Sequence, residues 1–89
     1  MANNIDDTFH KLYMLTFNYE PRTLDRKKAE EAVNTLAWYI NTGRASTGFI
    51  KALCSLKGNQ RAALLRRMVR ADFSTDSQIE AARAYIHFS

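Results

Sequence analysis

Cysteine and proline each occur once in these 89 residues, and glycine three times. A lone Cys54 excludes an internal disulfide and fits a reducing compartment. So little proline and glycine, beside 46% hydrophobic and 25% charged residues, argues against a linker or a disordered chain. No apolar run approaches the roughly 20 residues that cross a bilayer. Residues 1–7 have neither the cationic start nor the apolar stretch of a secretion signal. The expectation is a single cytoplasmic domain over residues 1–89, without membrane contact. A chain this short buries only about 60–65% of its unfolded surface, so its stability margin is thin.

Catalytic apparatus is missing as well. His10 and His87 have no second ligand three or four residues away, and Cys54 has no companion, so metal-site spacings are absent. Cys54 reads as a small buried hydrophobe. Asp72, Asp76 and Glu80 are spaced by four, but the Ser74–Ser77 interruption spoils a shared face, and Asp76 suits a helix start. With no nucleophile–base pair and no cofactor motif, the chain reads as a non-enzyme needing no cofactor and no metal.

Gly43 and Gly48 have the separation of a phosphate loop, yet Phe49 and Ile50 stand where Lys and Ser/Thr are required. The strand that precedes such a loop is lacking too. This segment reads as a helix C-cap followed by an N-cap, with Arg44, Ser46 and Thr47 left as a candidate anion site beside a helix start.

The most informative absence is acid. From Ala32 to Ala71 there is no Asp or Glu, while Arg44, Lys51, Lys57, Arg61, Arg66, Arg67 and Arg70 are all present. The net charge of +4 therefore arises in the C-terminal half. Such a local excess favours polyanionic partners: nucleic acid, an acidic protein surface or anionic lipid.

What is present is helical periodicity. Ile5, Phe9, Leu12 and Thr16 line a first helix over 4–18, widened by Tyr13, Leu15 and Phe17, with Asn4 as cap and Asp6 and Asp7 in its first turn. Glu20-Pro21-Arg22 breaks it, because a residue before proline avoids helical angles. A second helix starts at Thr23 or Asp25 and reaches Asn41, with Ala29, Ala32, Val33, Leu36 and Ile40 inward and Gly43 as its stop. A short third helix is capped by Ser46 or Thr47, uses Phe49, Ile50, Leu53 and Leu56, and ends at Gly58. The fourth spans 59–73, with Leu64, Leu65, Met68, Val69 and Phe73 on its core side and Arg66, Arg67 and Arg70 on the other. A capping box, Thr75 to Gln78 or Ser77 to Glu80, opens a fifth helix with Ile79, Ala82 and Ile86 inward. The fold class is all-α, a compact bundle of four to five short helices in one domain.

The helix pair at 46–73 invites comparison with a helix-turn-helix. The spacing departs from that pattern, since Ala52 lies six residues before Gly58 instead of four. Asn59, Gln60 and Arg61 nonetheless offer side chains able to read base edges. Lys51, Lys57, Arg66, Arg67 and Arg70 suit phosphates. Elsewhere, Trp38 lies about 200° from Leu36 and so faces outward. With Met14 it is a candidate interface, since Trp dominates many binding hot spots, and a small domain would gain stability by forming a homodimer.

These features lead to a small regulatory protein that binds nucleic acid, DNA before RNA, through Lys51, Lys57, Arg61, Arg66, Arg67 and Arg70. The alternative is a protein–protein adaptor or inhibitor that sets the basic face and Trp38 against an acidic macromolecular partner.

Overall fold

Each helix is built from the caps and apolar stripe that its own segment supplies. The computed structural model describes residues 4–18 and 25–88; the predicted break at Glu20-Pro21-Arg22 and the alternative start at Thr23 lie outside them, and Asn4, predicted as a cap, is the first residue of the first helix. Five helices are described: α1 (Asn4–Asn18), α2 (Arg26–Asn41), α3 (Thr47–Cys54), α4 (Gly58–Arg70) and α5 (Thr75–Phe88). Among the described residues there are no strands, so the all-α expectation holds. No helix among them is long and apolar enough to cross a membrane.

Asp25 starts α2 by accepting from the backbone N–H groups of Lys27 at 2.9 Å and Lys28 at 3.3 Å. Those donors have no partner inside the helix, which is why a carboxylate is favoured there. Gly43 ends the helix with φ at +74°, a left-handed angle that residues with a Cβ avoid. Ser46 then caps α3, its Oγ accepting from the Phe49 N–H at 3.1 Å.

The boundaries of the last two helices differ from expectation. Gly58 opens α4 instead of closing α3, and the cap comes from Gln60, whose Oε1 accepts the Lys57 N–H at 2.8 Å. The α4 helix stops at Arg70, not at residue 73, and Ala71–Phe73 form a turn. Phe73 therefore leaves the core stripe and stands 86% exposed. At the start of α5 the cap is Ser74, whose Oγ accepts the Ser77 N–H at 3.1 Å. Gln78, expected to reach back in a capping box, is buried, and its Oε1 accepts the Thr35 hydroxyl at 3.0 Å. It docks α5 on α2.

α1 and α2 form an antiparallel hairpin, because late residues of the first meet early residues of the second. The Arg26 guanidinium lies 4.0 Å over the Phe17 ring, and the Tyr13 hydroxyl donates to Asn34 Oδ1. Burial of Tyr13, with Glu30 nearby, raises its phenol above the ordinary tyrosine value. Phe17, expected to widen the core stripe, is 53% exposed under that guanidinium. A second hairpin, α4–α5, is marked by Arg67 lying 5.2 Å over the Tyr85 ring. The core between the hairpins holds Leu12, Ala29, Ala32, Val33, Leu36, Leu53, Leu64, Leu65, Met68 and Ala82. Both α1 and α5 pack on α3.

An added Cβ at Gly43 meets nothing within 4 Å, so only the backbone angle resists substitution. Gly43→Ala is expected to cost about 1 kcal/mol and to lower the thermal midpoint by roughly 4–8 °C. Scanning calorimetry checks this; an unchanged midpoint would mean that α2 can end without a left-handed residue.

Candidate nucleic-acid interface

The helical repeat divides α4 into two faces. Leu64, Leu65 and Met68 are fully buried. Arg61 precedes them by three, four and seven residues, which places it on their side of the helix. Accordingly it is only partly exposed, its Nη1 donates to the Leu56 carbonyl oxygen at 2.5 Å, and its Nε is buried without a hydrogen-bond partner. Arg61 thus braces the turn after α3 and stands apart from the outward cations.

The outward face is the stripe Asn59, Ala63, Arg66 and Arg70, with successive steps of four, three and four residues. Asn59, Arg66 and Arg70 are exposed, while Ala62 and Ala63 keep the middle of the face low. Arg67 is also exposed but leans over Tyr85 of α5. Asp72, the first acid after the basic run, does not neutralise this face through Arg70. Its carboxylate pairs with Lys28 of α2 at 2.9 Å, and that hydrogen bond and charge hold the Lys28 ammonium above the ordinary lysine value.

Lys57 is exposed at the start of α4, and Lys51 is exposed on α3. The α3 helix packs mainly on α1 and α5. The pair α3–α4 therefore shares a short turn without the mutual packing of a helix-turn-helix.

The candidate anion site spans the α2–α3 turn and the start of α3. Ser46 and Thr47 are exposed at the start of α3, but the Arg44 guanidinium lies 5.1 Å over the Trp38 ring on α2. Arg83 and His87 of α5 line one groove with Ser46. Sequence spacing does not reveal them, because the two segments are more than thirty residues apart and meet only through α3–α5 packing.

Trp38 is outward as expected, 43% exposed, and so is Met14 at 45%. Arg44 covers one face of the indole, and Thr75 and Asp76 at the start of α5 border it across a smaller groove. Cys54 is partly buried. Among the described residues no three His, Cys, Asp or Glu side chains are grouped to hold a metal ion.

The chain matches no family model, and neither a curated protein nor a solved structure shows detectable similarity to it.

The two classes of arginine separate in stability. Arg61→Ala removes a partly buried hydrogen bond to a carbonyl of the turn between α3 and α4 and is expected to cost about 1–2 kcal/mol. Arg70→Ala, on the surface, is expected to stay within about 0.5 kcal/mol of the parent. Urea unfolding of the two variants checks the assignment; equal losses would contradict it.

Proposed function

We propose that this protein is a non-enzymatic regulator that binds nucleic acid through the outer face of α4. The observation that supports it best is the outward stripe Asn59–Ala63–Arg66–Arg70, with Asn59, Arg66 and Arg70 exposed, set in a forty-residue stretch without acid. A solvated helix face ordinarily mixes charge signs and gains from opposite charges at four-residue spacing. Here Arg66 and Arg70 have that spacing with the same sign, which favours a partner that is itself an array of negative charge. Small residues at 62 and 63 allow the helix to lie close to a phosphate backbone.

Because α3 packs away from α4, the contact proposed is a helix laid against phosphates, with Lys57 at its leading end. Phosphate contacts set affinity and salt dependence but carry no sequence information directly. Binding is therefore expected to be tolerant of sequence and steep in salt. Duplex DNA, which carries denser charge than a single strand, is placed before single-stranded RNA.

A protein partner is the second reading, favoured by the exposed Trp38 and Phe73. An acidic surface would then meet the basic face while the aromatic side chains supply the apolar contact.

Fluorescence-anisotropy titration against random duplex DNA, single-stranded DNA and RNA, at low and physiological salt, tests the proposal. Sub-micromolar binding at low salt that collapses as salt rises is the expected result. The Arg66→Ala/Arg70→Ala double variant should lower the slope of log K against log salt by about two. Absence of binding to all three by the folded protein would transfer the assignment to a protein partner.

A further inference from the structure

The groove between α3 and α5 has a volume of about 600 Å³, within the roughly 300–1,000 Å³ of small-ligand sites. Its α3 wall is Ser46, Gly48, Ala52 and the one edge of the otherwise buried Phe49 that reaches the surface, and Ile86 of α5 adds to the apolar surface. Phe49 is set in place by Tyr39, whose ring meets it edge to face at 5.3 Å and 81°. The apolar wall is thus preformed.

The charged side is a single stripe of α5. Glu80, Arg83 and His87 all line the groove, with steps of three and four residues that keep them on one face over two turns, about 10 Å. The acid stands at one end of the stripe, and the basic side chains occupy its middle and far end. Arg83 is exposed, and among the described residues it forms no ion pair with Glu80. A guanidinium beside an aromatic wall suits a carboxylate, which it can grip with two parallel N–H donors. The protein's net positive charge acts in the same direction.

We infer that this groove binds a small organic carboxylate with an aromatic or short aliphatic body. The carboxylate lies against Arg83 toward His87, and the body covers Phe49, Ala52 and Ile86. The site is separate from the outer face of α4. Arg67 meets α5 through Tyr85, which the helical repeat places on a different side from the stripe of Glu80, Arg83 and His87. The inference therefore stands whether or not the protein binds nucleic acid.

The test is an NMR titration of the ¹⁵N-labelled full chain with sodium 2-naphthoate and, separately, with neutral 2-naphthamide. Saturable shifts confined to residues 46–52 and 80–87 are expected, with the acid binding about tenfold more tightly than the amide. Arg83→Gln should reduce naphthoate affinity to that of the amide while leaving amide binding unchanged, and Glu80→Gln should tighten naphthoate. Shifts spread over other helices, or equal affinity for acid and amide, would overturn the inference. The comparison of acid with amide on the parent protein decides this even if a variant fails to fold.

Discussion

The fold depends on one stripe of α2. Ala29, Ala32, Val33 and Leu36 are all fully buried, and α1, α4 and α5 all pack against this helix. Alanines at 29 and 32 leave room for neighbouring helices to approach, while Leu36 fills the centre. Each buried leucine contributes about 2 kcal/mol, against about 1 kcal/mol for a helix cap, so packing on this stripe outweighs any single terminus. The polar contacts at its borders fix orientation. Tyr13 and Asn34 hold α1 on one flank; Lys28 with Asp72 and Thr35 with Gln78 hold the second hairpin on the other.

The same packing determines what α4 can offer to solvent. Once Leu64, Leu65 and Met68 are turned toward α2, the helical repeat leaves Arg66 and Arg70 outside, adjacent and alike in sign. Such a pair costs the isolated helix about 0.2–0.5 kcal/mol. The one carboxylate close in sequence, Asp72, is drawn back to Lys28 and strengthens the join between the two hairpins. The acid nearest in sequence to Arg70 thus serves the fold.

The helices were legible wherever burial and periodicity agree. The α2 stripe, the Asp25 and Ser46 caps and the Gly43 stop all follow from local spacing. Arg61 was legible in principle, since it shares the stripe of Leu64 and Leu65, but its charge argued for the surface, and only the Leu56 carbonyl explains its inward place. Phe73 fits the apolar repeat of α4 yet lies beyond the last helical turn, where periodicity carries no information. Gln78 had two possible partners, one local and one on α2, and tertiary packing selected the distant one. The α3–α5 groove and the diversion of Arg44 onto Trp38 arise from contacts between segments that no local pattern links.

That diversion has an optical consequence. Trp38 is the chain's one tryptophan, and it sits where α2, the 42–46 loop and the first turn of α5 meet, with a guanidinium 5.1 Å over its ring. Its emission is therefore an intrinsic gauge of that junction. Withdrawal of α5 or loosening of the loop would carry the indole further into water and shift its emission to the red, while the backbone of α2 stayed helical. The indole belongs neither to the outer face of α4 nor to the α3–α5 groove, so it can follow the integrity of the fold while either surface is being filled.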